Sequence, residues 1–262
     1  MLDEVVALPA SLILERSGEA AVLMLNRPEK RNALDDATIV AIGEFFARPP
    51  SWARAVVLAA VGPHFSAGLD LGELTERDAV DGFFHSRMWH EAFARIESGT
   101  LPVIAVLTGA VVGGGLELAA AAHLRVAEES AFFALPEGQR GLFVGGGASV
   151  RVPRLVGAHR MTDMMLTGRV LTADEGAVAG LVNYRVANGE GLAKALELAT
   201  SIAGNSAITN YAVIHALPRI VQAAPETGLL LESLMAAVAQ SSQEAKERMN
   251  AFLNGHGRKV GE

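Results

Sequence analysis

Residues 111–124 read VVGGGLELAAAAHL, a small and apolar run that contains a single acidic residue, Glu117. Glu117 follows the three glycines at 113–115, and the apolar stretch VIAVLTG lies just before this run, at 103–109. Glycine permits sharp changes of chain direction, and the pattern changes from a strand-like to a helix-like one across these glycines. We therefore predict a buried strand, a glycine turn and a buried helix that continues through His123.

A helix that begins at glycines has chemical uses. The first turn of a helix has free N–H groups and a partial positive charge, which suits the binding of a developing oxyanion. Burial among alanines is expected to raise the pKa of Glu117, and a raised pKa suits general acid–base catalysis. A glutamate in a first turn is also favourable by itself, and glycines also permit close packing. This stretch alone therefore leaves a functional and a structural explanation open.

The composition narrows the class of protein. The chain has 262 residues, of which 50% are hydrophobic, enough for one large domain or one domain with a helical appendage. A formal net charge of −7 argues against nucleic acid as the main partner. The absence of cysteine excludes disulfides, thiolate nucleophiles and cysteine-based zinc sites. The N-terminal segment carries acidic residues early and lacks a basic region with a cleavage site, so we expect a cytoplasmic protein.

Several other classes are disfavoured by missing motifs. Residues 101–122 are long enough to cross a bilayer, but three glycines and Glu117 interrupt them, so we predict no membrane span. No dinucleotide fingerprint, Walker A sequence, HExxH or GxSxG motif is present. We therefore expect no metal site and no nicotinamide, nucleotide-hydrolysing or serine-hydrolase chemistry.

The order of patterns predicts an α/β fold. Strand-like and helix-like segments alternate over the first 190 residues, which is typical of parallel strand pairing. The predicted strands include 11–16, 20–26, 55–62 and 103–109, and the predicted helices include 35–47, 76–97, 148–157 and 160–167. From about residue 190 the chain changes to helices rich in alanine and leucine, with no linker between the two parts.

Two further segments favour a functional site. HFSAGLDL at 64–71 follows a buried strand with a glycine loop, and AFFALPEG at 131–138 places Glu137 directly after a proline. With these segments the chain resembles the crotonase (enoyl-CoA hydratase/isomerase) family. The matching stretches occur in family order over nearly the whole chain: NRPEKRNAL at 26–34, HFSAGLDL, the run from 109 to 137, PRLVG at 153–157, and LTGR with LTADEGAVAGLV at 166–182.

The resemblance implies a fold and an assembly. The fold is a crotonase-like spiral of ββα turns, followed by a helical region that trimerises. We assign residues 1–195 to the spiral core with the active site and residues 196–262 to the C-terminal helical region. The expected assembly is a homotrimer or a dimer of trimers.

The resemblance also implies roles in the reaction. Ala67 and Gly114 match the two family positions whose N–H groups hold a thioester oxygen as it becomes an enolate. Family members that hydrate enoyl thioesters carry two glutamates, at the positions of Glu117 and Glu137, whereas isomerases often keep only the second. Glu117 would activate the water that adds at C3, and Glu137 would exchange the proton at C2. Gly145 keeps the glycine position near the reacting carbons.

The expected substrate is an acyl-CoA thioester, with coenzyme A as part of the substrate and no other cofactor. The loop EKRNA offers Lys30, Arg31 and the backbone near Ala33 to the CoA phosphates, with the basic tail residues Arg258 and Lys259 as weaker candidates. The flanking motif residues are assigned to substrate binding as well: Ser66, Asp70, Leu71 and Gly113.

Two departures from the family pattern concern the acyl pocket. Leu142, Phe143 and Val144 stand where the family commonly has Thr-Ile-Pro, which predicts a more apolar pocket. The segment 82–93 adds Phe84 and Trp89, and we expect a bulky or ring-containing acyl group. Hydration of a trans-2-enoyl-CoA is the leading reaction. Isomerisation and hydratase-lyase chemistry on the same fold remain open, as does a non-catalytic CoA-binding or assembly protein.

Overall fold

The computed structural model describes residues 8–70, 72 and 78–254, and Leu71, Arg258 and Lys259 lie outside them. The chain divides into two compact units, Met1–Ile202 and Ala203–Glu262. In the described part of the chain no helix is long and apolar enough to cross a membrane.

The described residues of the first unit form nine strands. In chain order they are β1 (Leu12–Ser17), β2 (Ala20–Leu25), β3 (Ala55–Ala60), β4 (Val103–Leu107), β5 (Ala110–Val112), β6 (Leu124–Glu128), β7 (Phe132–Ala134), β8 (Leu171–Thr172) and β9 (Tyr184–Val186). Six of them form a sheet in the order β1-β2-β3-β4-β6-β9, and the other three form a smaller sheet in the order β5-β7-β8. The pairs β1–β2 and β7–β8 are antiparallel, and every other pair is parallel. The predicted α/β class with parallel pairing is confirmed.

The helices of the first unit connect and cover these strands. They are α1 (Asp36–Ala47), α2 (Ala79–Glu97), α3 (Gly114–Ala121), α4 (Ala148–Val156), α5 (Ala158–Thr167), α6 (Ala173–Ala179) and α7 (Gly191–Ala203). Aspartates cap the first two helices: Asp35 accepts a hydrogen bond from the N–H of Thr38, and Asp78 accepts from those of Val80 and Asp81. The predicted start of α2 at residue 76 is therefore three residues early. Helix α3 ends at Ala121, before His123.

Both faces of the larger sheet are buried, which explains the nearly continuous apolar strands. In β3, Val56 and Leu58 belong to one apolar cluster, whereas Ala55 and Val57 belong to the other. The second cluster includes Ala195 and Ala199 of α7, so this helix covers that face of the sheet. The first cluster continues into α3 and places the glycine turn at residues 113–115 inside the unit.

The second unit is helical in its described residues. It contains α8 (Ala207–Tyr211), a π-helical turn (Ala212–Ala216), α9 (Leu217–Gln222), α10 (Pro225–Ser241) and α11 (Gln243–Leu253). Helix α10 exposes several large apolar side chains: Leu229, Leu230, Leu234 and Val238.

Candidate active site

The glycine turn ends β5 and begins α3. Gly113 is the N-cap of α3, with φ of 54° and ψ of −123°, a conformation that side chains rarely adopt. All eight residues of α3 are buried, and only 3% of the surface of Glu117 is exposed. The glycines therefore let the chain reverse within the core and present the first turn of the helix to the neighbouring loop.

That neighbouring loop is the segment around Ser66. The N–H of Ser66 donates to the carbonyl of Ala110 at 2.9 Å, and the N–H of Val112 donates to the carbonyl of Ser66 at 3.0 Å. The Ser66 hydroxyl donates to the carbonyl of Asn32 at 2.8 Å and accepts from the N–H of Gly68 at 3.1 Å. Ser66 is fully buried, and it holds the loop against β5.

The structure corrects the first predicted oxyanion donor. The N–H of Ala67 donates to the carbonyl of Arg31 at 2.9 Å, so it is not available to a substrate. The segment 67–70 is extended beside Leu34. The N–H of Leu34 donates to the carbonyl of Gly68, and the N–H of Asp70 donates to the carbonyl of Leu34. Successive N–H groups of an extended chain point to opposite sides, so the N–H of Leu69 points away from Leu34.

Leu69 and Gly114 carry the free donors. Among the described residues, neither N–H has a hydrogen-bond acceptor. The nitrogen of Leu69 lies 3.4 Å from the position that a Cβ on Gly114 would take, and both residues line the same cavity. Two neighbouring N–H groups that converge on a cavity are the arrangement that stabilises an oxyanion. The free N–H of this motif is therefore that of Leu69, two residues beyond the predicted Ala67.

Glu117 lies next to these donors with its carboxylate held by a second loop. Its Oε1 accepts from the N–H of Gly145 at 3.3 Å, and its Oε2 accepts from the N–H of Ala148 at 3.0 Å. Burial raises the pKa of Glu117, while these N–H groups, that of Gly146 and the Arg151 guanidinium act in the opposite direction. The result is a carboxyl that is fixed in place and holds its proton more tightly than an exposed one.

Glu137 follows β7 and lies in the short 3-10 helix Pro136–Arg140. Its Oε2 is buried and has no hydrogen-bond partner among the described residues, and its Oε1 faces Gly113. Burial raises the pKa of Glu137, and the charge of Glu117 raises it further. Two carboxyls with raised pKa values at one cavity can exchange protons with a molecule that lies between them.

The cavity has a volume of about 400 Å³. Of the predicted site residues it is lined by Glu117, Glu137, Ala67, Gly113, Gly114, Gly145 and Trp89. Phe84 is not among the lining residues: its side chain is 64% exposed and packs edge-on against Phe83. Ser66, Asp70, Lys30, Arg31 and Ala33 also lie outside the lining.

Lys30 and Asp70 belong to an ion-pair cluster beside the site. Oδ2 of Asp70 accepts from Nη2 of Arg27 at 2.7 Å and from Nζ of Lys30 at 3.0 Å. The N–H of Gly72 and these two cations lower the pKa of Asp70 well below its usual range. Arg31 is exposed with a left-handed backbone at φ of 52°. Asp70 thus fixes the loop that carries the basic residues.

Several cavity residues were not predicted from the sequence as site residues. Leu69 lies inside a quoted motif, whereas Ser86, His85 and Arg140 show no pattern that would single them out. His85 is held by Asp36, at 2.7 Å between Nε2 and Oδ1. In the described residues no group of three His, Asp or Glu side chains is arranged to hold a metal ion.

Comparisons with known proteins show which family the chain resembles. The family model for enoyl-CoA hydratase/isomerase matches residues 15–258. The short-chain-enoyl-CoA hydratase of Clostridium acetobutylicum is 33% identical over 248 residues, which cover 93% of this chain and 94% of that protein. The 2,3-dehydroadipyl-CoA hydratase of Escherichia coli is 32% identical over 246 residues, or 93% of this chain and 96% of that protein.

Solved structures give the same result. A Rhodopseudomonas palustris protein provisionally named an enoyl-CoA hydratase is 56% identical, with a TM-score of 0.93 and coverage of 96% of this chain and 97% of that one. The enoyl-CoA hydratase of Bacillus anthracis is 28% identical, with a TM-score of 0.88 and coverage of 96% and 100%. The crotonase-like fold is therefore confirmed, and the chain belongs to the enoyl-CoA hydratase/isomerase family.

Proposed function

We propose that this enzyme adds water to a trans-2-enoyl-CoA and forms a 3-hydroxyacyl-CoA. The observation that carries the proposal is the pairing of two buried carboxyls, Glu117 and Glu137, with the free N–H groups of Leu69 and Gly114 at one cavity. The relatives named as hydratases support the same reaction. A protein that only bound CoA would gain nothing from two buried carboxyls, since their burial is costly.

The reaction follows from these positions. The N–H groups of Leu69 and Gly114 hold the thioester oxygen, so that carbon C3 becomes open to attack. Ionised Glu117 takes a proton from water as the water oxygen bonds to C3, and the electron pair of the double bond moves onto the thioester as an enolate. Protonated Glu137 then gives its proton to C2. The net change is the addition of OH at C3 and H at C2, and proton exchange with solvent restores the two carboxyls.

We propose that the acyl group is bulky or ring-bearing. The support is the apolar lining of the cavity by Leu69, Trp89 and the segment Leu142–Val144. Phe143 is 70% exposed although it lines the cavity, so its ring is available for contact with a ligand. Lys30 and Arg31, with the backbone near Ala33, are proposed to contact the CoA phosphates.

The test is product analysis with a panel that includes crotonyl-CoA and an aryl-substituted enoyl-CoA. Loss of the conjugated enoyl absorbance is followed, and products are identified by mass and chromatography, for wild type, Glu117→Gln and Glu137→Gln. A 3-hydroxyacyl-CoA that both variants fail to form supports the proposal. A shifted double bond or a cleaved acyl chain would replace it with isomerase or lyase chemistry, and binding of CoA without turnover would replace it with a non-catalytic role.

We further propose that the C-terminal helical region, residues 196–262, assembles the chain into a trimer or a dimer of trimers, while residues 1–195 carry the site. The exposed apolar side chains of α10 support this assembly, because unpaired apolar surface of this kind marks interaction sites. Light scattering on the purified protein checks the number of subunits. We also propose a cytoplasmic enzyme without a metal or further cofactor, since CoA thioesters are intracellular metabolites; full activity after treatment with a chelator checks the second point.

A further inference from the structure

Ser86 connects helix α2 to the loop that holds Glu117. The side chain is half-buried and lines the cavity, and its hydroxyl donates to the carbonyl of Gly145 at 2.6 Å. Its other polar neighbour is Nε2 of His90, at 3.4 Å. A short hydrogen bond between residues 59 positions apart therefore fixes one carbonyl of the loop against the helix.

That carbonyl belongs to the peptide group between Gly145 and Gly146. A trans peptide is planar, with its C=O and N–H on opposite edges. The hydroxyl of Ser86 takes the C=O edge, and the N–H edge belongs to Gly146. The residue that supplies the C=O, Gly145, donates its own N–H to Oε1 of Glu117 at 3.3 Å. A Cβ on Gly146 would lie only 2.8 Å from Oε2 of Glu117, which shows how closely this peptide approaches the carboxylate.

The next peptide is held in the same way. Nη1 of Arg151 donates to the carbonyl of Gly146 at 3.0 Å, and Nε of Arg151 is paired with Oε2 of Glu97 at 2.9 Å. Residues 145–147 are all glycine, so their peptide groups rotate at little cost unless their carbonyls are bound. Ser86 is the group that prevents rotation of the peptide that faces Glu117.

We propose that Ser86 is a positioning residue for Glu117: its hydroxyl holds the Gly145 carbonyl and so keeps the N–H of Gly145 on the carboxylate that activates water. The proposal rests on the proposed function only in the last step, the activation of water. Ser86 acts through the peptide and takes no part in proton transfer.

The consequence is a change in how Glu117 titrates. A hydrogen bond to the charged form favours ionisation, so weakening of the Gly145 donor raises the pKa of Glu117 further. The charged groups that act on the carboxyl, Arg151 and Glu137, are unaltered in the variant, whereas His90 loses its contact with the Ser86 hydroxyl. The acid limb of the rate profile is therefore expected to move to higher pH.

The experiment compares Ser86→Ala with Ser86→Thr, which keeps a hydroxyl. Ser98→Ala on the exposed end of α2 is the matched control. For Ser86→Ala we expect kcat to fall about tenfold with KM within about twofold, because one hydrogen bond to a charged group is lost. The acid limb of kcat should move to higher pH, Ser86→Thr should recover most of both effects, and Ser98→Ala should match wild type.

A second measurement does not need turnover. The carboxyl of Glu117 is titrated by 13C NMR in protein labelled at glutamate, with its resonance assigned by its loss in Glu117→Gln. A midpoint that moves to higher pH in Ser86→Ala supports positioning even if the enzyme proves not to hydrate enoyl thioesters. An unchanged midpoint, a rise in KM alone, or a loss of thermal stability without any change in titration overturns the proposal.

Discussion

A methyl group on Gly114 would lie within 2.7 Å of Cζ3 of Trp89, so the glycine and the indole ring are in direct contact beneath the free N–H groups. We predict that Gly114→Ala lowers kcat/KM at least about 100-fold, since the donor or the ring must move. Removing the ring as well, in Gly114→Ala with Trp89→Leu, should recover part of this loss. Steady-state kinetics on both variants provides the check, and near wild-type activity of the single variant would contradict the contact.

The raised pKa of Glu117 predicts a specific pH dependence. As a general base this carboxyl has to be ionised, and its burial raises the pKa above that of an exposed glutamate. We therefore expect kcat to decline on acidification at a pH above the ordinary carboxyl range, about 4.3. Glu117→Gln should lower kcat by about 100-fold or more and remove this limb from any residual rate. A profile flat down to pH 4.5 would argue against Glu117 as the base.

Glu137 is expected to lower the free energy of unfolding, although activity requires it. The pKa of Glu137 is raised, so the folded state disfavours the charged carboxylate. The resulting loss of stability is fully present above the pKa of the folded state and disappears as the pH falls towards the pKa of the unfolded state. We predict that Glu137→Gln abolishes hydration but raises the free energy of unfolding by about 1 kcal/mol at pH 8, with a smaller gain near pH 5. Thermal melts at the two pH values measure both parts. Destabilisation at pH 8 would show that Oε2 has a partner in solution.

Asp70 should behave in the opposite way. The pKa of Asp70 is lowered, so its ion pairs stabilise the folded state at neutral pH. That stabilisation is lost as the pH falls from the pKa of the unfolded state through the lowered pKa of the folded state. We predict that Asp70→Asn lowers the free energy of unfolding by about 1 kcal/mol or more at pH 7, because Arg27 loses one of its two counter-charges and keeps only Asp35. The difference from wild type should narrow below about pH 4. Lys30→Met, which removes a half-exposed partner, should cost less.

Phe143 and Phe84 provide a matched pair for the acyl pocket. Both rings are exposed, but only Phe143 lines the cavity. We predict that Phe143→Ala lowers kcat/KM for an aryl-substituted enoyl-CoA about tenfold more than for crotonyl-CoA, while Phe84→Ala affects both substrates little. Equal losses on the two substrates in Phe143→Ala would exclude a role for this ring in acyl selection.

The strands and the glycine turn were predictable because their signals are local. Short buried runs such as 55–60 and 103–107 carry their own pattern, and the turn before α3 needs glycine at Gly113 whatever surrounds it. The choice between Ala67 and Leu69 was not local, since it depends on which N–H the segment at 31–34 occupies. Phe84 illustrates the same limit: a residue's presence in the right helix does not say which way its ring points.

The long-range polar contacts could not be predicted from the sequence. Ser86 contacts a carbonyl 59 residues away, and Arg151 pairs with Glu97 at a separation of 54 residues. Neither residue belongs to a recognisable motif in this chain. Only the packing of α2 against the loop after Glu137 places this serine and this arginine on the loop that holds the carboxylate of Glu117.

An isolated β-bridge between Ser66 and Val111 joins the two segments that carry the free N–H groups of the site. The loop of Leu69 and the turn of Gly114 are joined by it into one hydrogen-bonded piece. This piece also pairs with β7 but makes no backbone–backbone hydrogen bond with residues 136–148 among those described. Substitutions in residues 136–148 are therefore expected to change the surroundings of the two carboxyls while the N–H groups of Leu69 and Gly114 keep their places. A scaffold divided in this way can give rise to new reactions on the same class of thioester by changes in one short stretch of chain.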